Sequence, residues 1–235
     1  YVPPTLLPED VARDRSEPDN RLLMAQLGFG DDTTKSPSEL LAARRAVVIA
    51  EPGMGKTQLL HHLGELERER TPLLMKLSEL VVQLQSDDEP ERVLAAALAR
   101  ARGFAEGVER PTRDGLDGNA YTLLFDALDE VARDRRTDAV ALLAALAARY
   151  PQHVMVITSR VNDDAVSLEA AGFSIFRIPR DGTWGRRYLE ARGIPEARIR
   201  QLYEEVQTIG DLLAVPQYAA LIGQRLAQES LEEIP

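Results

Sequence analysis

The sequence predicts an α/β fold: a parallel sheet covered by helices on both faces, with a phosphate-binding loop after its first strand and a helical subdomain at its C-terminal end. Three observations carry this. Five short apolar runs with almost no polar alternation are separated by helical patterns, the signature of strands buried on both faces. The stretch A-V-V-I-A-E-P-G-M-G-K-T-Q-L-L over 46–60 reads as strand, glycine-punctuated loop and helix start. From Gly182 onward the pattern is helical only.

In chain order, residues 1–45 form a lead-in rich in prolines and acids, with a short amphipathic pattern over 21–27 and Ser38 as N-cap before Glu39. A strand follows over 46–50, then a helix over 56–69 with Leu59, Leu60, Leu63 and Leu66 on one side. A second strand spans 73–77. A polar stretch (83–90, including Asp87, Asp88 and Glu89), an Ala-rich helix (91–102) and a glycine-bearing loop (103–119) come next. The third strand is 121–125, a helix covers 137–148, and strands at 154–158 and 173–178 complete the sheet. Helices are expected over 186–192, 195–206 and 209–229, the last broken at Pro216. The expected division is lead-in 1–45, core 46–181 and helical lid 182–235. There is no internal repeat.

A chain of 235 residues holds one sizeable core and a small appended subdomain. It has no cysteine, no apolar run of membrane-spanning length and no basic-then-apolar leader, so a cytoplasmic protein without membrane association is expected. A net charge of −10 and a pI near 4.9 argue against nucleic-acid binding by this domain, because such binding is mainly counterion release by clustered cations. Arg133, Arg135 and Arg136 form a local basic cluster, read as a solvated helix start. Beginning at Tyr1 and ending at Pro235, the chain looks like part of a longer protein whose other domains carry biological output.

A phosphate group needs inward-facing backbone N–H groups, glycines where a side chain would block the approach, and a cation for the outer oxygens. Pro52, Gly53, Met54, Gly55, Lys56 and Thr57 supply these in order, flanked by Glu51 and Gln58. Lys56 is expected on the β- and γ-phosphates and Thr57 on Mg²⁺. The pattern G-x-x-x-x-G-K-[ST] is met except at its first position, where Ala50 stands. An incidental turn is the bland alternative. Lysine rarity weighs against it: of 28 Lys and Arg residues only Lys35, Lys56 and Lys76 are lysines.

Asp126, Asp129 and Glu130 follow the third strand at the sheet edge where α/β proteins place ligands. Asp126 is the expected Mg²⁺ partner, directly or through a water, and Asp129 and Glu130 are placed to polarise an attacking water. Helix capping by the aspartates is the alternative. Thr158, Ser159 and Arg160 end the fourth strand, so two hydroxyls and a guanidinium would face the phosphates, Arg160 bridging their oxygens. A solvated loop arginine is the bland reading. His61 and His62, about 100° apart on a helix, cannot share one metal; His153 precedes a strand, and Trp184 reads as a packing anchor between sheet and lid.

E-P-G-M-G-K-T, L-L-F-D-A-L-D-E and V-I-T-S-R, in this order, resemble the NACHT family within the STAND class of P-loop NTPases. The small residue Ala127 after Asp126, with Asp129 and Glu130 three and four positions on from Asp126, is the sharpest point of likeness. Leu212–Pro216 is similar to the family's helical-domain motif, and Tyr1-Val2-Pro3 looks like the segment that often precedes the domain. The resemblance implies a five-stranded parallel sheet in the order 5-1-4-3-2, Arg160 as a γ-phosphate sensor, Pro216 packed near the adenine, and ATP or ADP with Mg²⁺ as cofactors. It further implies self-association through a larger protein, with effector and sensor domains outside this piece, as in bacterial immune receptors that act against phage. Two functions follow: a nucleotide-controlled signalling switch with slow ATPase activity, or a turnover ATPase that remodels protein or nucleic acid.

Overall fold

The structure, a computed structural model, describes residues 6–8, 36–82, 102–103, 113–160 and 164–232. A short strand β1 (Leu7–Pro8) precedes helix α1 (Pro37–Ala43) and strand β2 (Arg45–Ile49). The glycine loop leads into α2 (Lys56–Leu66), then β3 (Thr71–Lys76), α3 (Leu77–Val81), β4 (Arg102–Gly103) and α4 (Arg113–Gly118). Strand β5 (Tyr121–Asp126) ends in two 3₁₀ turns, Leu128–Glu130 and Arg133–Arg135, before α5 (Arg136–Arg149). Strand β6 (Val154–Ser159), α6 (Asp164–Ala170) and β7 (Ser174–Arg177) finish the sheet. Helices α7 (Gly182–Ala191), α8 (Glu196–Glu205), α9 (Ile209–Leu213) and α10 (Pro216–Glu232) follow.

The sheet runs β1-β7-β2-β6-β5-β3-β4. Its five central strands are parallel and, numbered among themselves, lie in the expected order 5-1-4-3-2. This is the P-loop NTPase fold. Neighbouring residues on each strand point to opposite faces, and both faces are buried. Val47, Ile49, Leu123, Phe125, Met155 and Ile157 pack on one side with Leu142, Leu143 and Leu146 of α5. Ala46, Val48, Leu124 and Val156 pack on the other with Leu59, Leu60 and Leu63 of α2. Two covered faces are why the strands read as unbroken apolar runs. The parallel register pairs Ile49 with Ser159 and Phe125 with Ile157, so the loop after β2, Asp126 and Arg160 emerge at one edge.

The structure differs from expectation in several local features. The lead-in supplies β1, and Arg102, expected as the end of the 91–102 helix, forms β4 with Gly103, the first residue of the expected loop. These two-residue antiparallel strands pair with β7 and β3, and the 103–119 loop also contains α4. Two residues carry no periodicity to read. Helix α1 is capped by Ser36 rather than Ser38: the Ser36 N–H donates to Glu39 Oε2 at 2.6 Å, with Pro37 at the first turn. Leu77 opens α3 instead of ending β3. Helix α2 stops at Leu66 because the Glu67 carboxylate accepts from the Glu69 and Arg70 N–H groups and from Thr122 Oγ1. Helix α7 starts at Gly182, since Asp181 Oδ1 accepts from the Thr183 N–H at 2.8 Å. Apart from Arg102, the expected elements over 83–102, the pattern at 21–27 and Tyr1-Val2-Pro3 lie outside the described residues.

The lid has its own core of Trp184, Leu189, Ile194, Ile199, Ile209, Leu213, Ala219 and Leu226. Val215 instead joins the core on the α2 face of the sheet, and the Gln217 N–H donates to the Gly53 carbonyl at 3.2 Å. The lid therefore rests directly on the glycine loop.

Candidate functional site

The loop between β2 and α2 is held open by two residues in left-handed conformation, Gly53 (φ 77°) and Gly55 (φ 81°), which L side chains adopt poorly. Gly53 is needed on a second count: a Cβ there would lie 2.9 Å from Gln217 Oε1 and 3.1 Å from Val215 Cγ1. The Lys56 ammonium folds across the loop, donating to the carbonyls of Ala50 (2.9 Å) and Glu51 (3.2 Å). Burial pushes its pKa below the ordinary value of 10.5, with Arg160 acting in the same sense and Asp129, Asp126 and Glu130 opposing.

Asp126 is 6% exposed and accepts two hydroxyl donors, Thr57 Oγ1 at 2.8 Å and Thr158 Oγ1 at 2.7 Å. Thr158 also accepts from the Ala127 N–H at 3.0 Å. Ala127 itself sits at φ 60°, a left-handed conformation in which Cβ crowding costs an L residue about 1–2 kcal/mol. The next turn carries Asp129 and Glu130. Asp129 accepts from Arg160 twice, Nε to Oδ2 at 2.7 Å and N–H to Oδ1 at 3.1 Å, while Arg136 Nη2 donates to the Asp129 carbonyl at 2.6 Å. The Glu130 side chain is exposed and makes no hydrogen bond among the described residues.

These groups face a cavity of about 600 Å³, within the size range of nucleotide and drug-sized ligands. Pro52, Gly53, Met54, Gly55, Lys56, Thr57, Gln58, Asp126, Asp129, Glu130, Arg160 and Pro216, all expected from the sequence, line it. Glu51 does not; its carboxylate pairs with Arg180 Nε at 2.7 Å, leaving only its carbonyl at the loop. Thr158 and Ser159 are fully buried, so their hydroxyls do not project toward a ligand as expected, and Thr158 instead positions Asp126. Arg136, expected in solvent, holds the acidic turn. Trp184 is buried in the lid core and stacks on Tyr188 (centroids 5.2 Å apart), and both also form cavity wall with Gln217 and Ala220. The last three had no sequence signal, since only the docking of α7 and α10 brings them to the loop.

The donor set fits a magnesium-bound phosphate chain. Among the described residues no cluster of three or more His, Cys, Asp or Glu side chains gathers to hold a metal alone. Thr57 and Asp126, 2.8 Å apart, offer one hydroxyl and one carboxylate. That is the incomplete oxygen set that suits Mg²⁺, which keeps waters and phosphate oxygens as its other ligands. Among the described residues no helix is long and apolar enough to cross a membrane.

No protein-family model matches the chain, and no curated protein matches it. Among solved structures it is similar to the Walker-type ATPase PABY2304 of Pyrococcus abyssi, at 15% identity over 83% of this chain and 70% of that one, with a TM-score of 0.48. It is also similar to Cdc6p from Pyrobaculum aerophilum (17% identity, 62% and 41% covered, TM-score 0.40) and to PCH-2 of C. elegans (12%, 77% and 48%, 0.39). The chain spans less than half the length of these last two.

Proposed function

We propose that this domain binds Mg-ATP and ADP and hydrolyses ATP slowly, as a NACHT-type switch that controls self-association of a larger cytoplasmic protein with effector and sensor domains. Convergence of Lys56, Thr57 and Asp126 on one cavity carries the nucleotide reading. Lys56 would exchange its two carbonyl partners for phosphate oxygens, and Thr57 and Asp126 would hold Mg²⁺. The metal supplies charge neutralisation at the phosphates when bound. Asp129 and Glu130 orient and deprotonate water. In this conformation both Asp129 oxygens are engaged by Arg160, which favours a restrained hydrolase over a rapid one. The lid's direct contact with Gly53 gives nucleotide state a route to a structural output. An antiphage role belongs to the same reading and rests on the family resemblance of the three motifs. Turnover remodelling is the second reading, kept by the exposed Glu130 at the cavity.

The test is calorimetry with Mg-ATP and ADP, paired with steady-state hydrolysis. Lys56→Ala should abolish nucleotide binding. Asp129→Asn or Glu130→Gln should retain binding and slow hydrolysis by about 10²–10⁴-fold. Unchanged ATP affinity in Lys56→Ala would remove the phosphate-loop assignment, and unchanged rates in both acid variants and their double would leave the acids as structural. Rapid wild-type turnover would favour the second reading.

A further inference from the structure

We infer that Gln217 selects the nucleotide base, favouring adenine over guanine. The inference rests on the nucleotide reading above and adds the residue that discriminates within it. The cavity has two chemically distinct ends. Lys56, Thr57, Asp126, Asp129, Glu130 and Arg160 crowd the end formed by the sheet edge. The wall from α7 and α10 comprises the rings of Trp184 and Tyr188, Pro216 and Ala220, with Gln217 as its one carboxamide. A triphosphate seated on the loop directs its flat, weakly hydrated base toward that wall, where ring faces and a proline suit it.

Gln217 is held for this task by its own backbone. Its N–H donates to the Gly53 carbonyl at 3.2 Å, and its Oε1 lies where a Gly53 Cβ would be only 2.9 Å away. The residue is thus pinned at the junction of the two ends, while its side-chain amide has no hydrogen-bond partner among the described residues. Gln58, the other amide on the cavity, belongs to α2 and the phosphate end. A carboxamide offers one acceptor and one donor group side by side. Adenine presents the matching pair, the N6 donor beside the N7 acceptor; guanine presents two acceptors on that edge, O6 and N7, which leaves the amide oxygen facing a lone pair. A mismatched polar group in a partly enclosed site is penalised more than a missing one, so the amide rejects as well as attracts.

The experiment uses calorimetric affinities for Mg-ATP, Mg-GTP, Mg-7-deaza-ATP and inorganic tripolyphosphate. Wild type should prefer ATP over GTP by about tenfold or more. It should lose about three- to tenfold on 7-deaza-ATP, in which a C–H replaces N7 and one neutral hydrogen bond is removed. In Gln217→Leu, which keeps the backbone bond to Gly53, both ratios should collapse toward one while tripolyphosphate affinity stays as in wild type. The 7-deaza comparison on wild type needs no substitution and so is independent of any folding defect. Binding of ATP with equal affinity for GTP and 7-deaza-ATP overturns the role of Gln217 and leaves the nucleotide reading standing. Binding of neither nucleotide nor tripolyphosphate overturns both.

Discussion

Arg160 is the residue whose position says most about control. Its guanidinium lies 2.7 Å from Asp129 and is 55% exposed, so solvent screens the pair and its intrinsic contribution to stability is small, about 1 kcal/mol or less. A weak contact is easily exchanged for a better one. A γ-phosphate offers bidentate, doubly charged acceptors, and moving Arg160 onto it would free the Asp129 carboxylate for water. Arg160→Ala should therefore weaken ATP binding more than ADP binding, by about 1–3 kcal/mol, as read by calorimetry on both nucleotides. Equal losses would leave Arg160 as a surface arginine that merely restrains Asp129. The sequence exposed Lys56, Thr57 and Asp126 because each residue type has one job at one offset in a known motif. It concealed the Thr158 to Asp126 hydrogen bond, because a threonine at a strand end looks the same whether it faces solvent or a buried acid. It concealed Gln217 for a related reason: an amide one residue after Pro216 gains meaning only from the docking of α10 on Gly53.

Among the elements, the five parallel strands were legible because burial on both faces leaves an apolar run with no alternation, a pattern that survives single exceptions. Caps and ends were less so. Ser36 and Ser38 are equally good caps by composition; Pro37, favoured in a first turn, and the reach of Glu39 back to the Ser36 N–H decide between them. The lid's internal packing was not legible at all, and it depends on one close approach. Gly185 in α7 lies so near α9 that an added Cβ would stand 2.3 Å from the Leu213 carbonyl oxygen and 2.4 Å from its Cβ. Those are backbone and first-carbon atoms, which cannot swing aside. Gly185→Ala removes a helix-interior glycine, worth about 1 kcal/mol in propensity, but must push α7 off α9 at an overpacking cost of about 1–3 kcal/mol or more. The expected outcome is net destabilisation of the lid, measured as faster amide exchange in α9 and α10 with strands β2, β5 and β6 unaffected. Unchanged or improved protection there would show that the two helices have slack.

At the scale of the whole molecule, acid sensitivity follows from a buried histidine the site does not use. His153 is 2% exposed, stacks on Tyr150 with centroids 5.2 Å apart, meets Tyr121 edge-on, and its Nδ1 accepts the Tyr121 N–H at 3.4 Å. Its Nε2 has no partner among the described residues, so a proton added there would be a buried charge unpaired by them. Burial accordingly lowers its pKa from 6.5 to about 4, with Asp117 pulling weakly the other way. The folded pKa is the lower one, so between pH 6.5 and 4 the unfolded chain binds more protons than the folded one. Stability is full above pH 6.5 and falls as pH drops through that window. At 1.36 kcal/mol per pKa unit the loss reaches at most about 3 kcal/mol, a large share of the 5–15 kcal/mol that holds a typical domain together. Glu67 acts in the same direction but lower. Although burial opposes ionisation, the Thr122 hydroxyl and the Glu69 and Arg70 N–H groups hold its pKa below 4.5, so its contribution is lost only beneath that value. The two windows can be separated by urea denaturation at intervals between pH 7.5 and 3.5. His153→Gln keeps an acceptor for the Tyr121 N–H but cannot take up a proton, and it should flatten the stability profile between pH 6.5 and 4.5 while leaving the steeper fall below 4.5. Identical slopes for the variant and wild type above pH 4.5 would mean that His153 is free to protonate in the folded protein, with the interface of β5, β6 and Tyr150 opening to admit water.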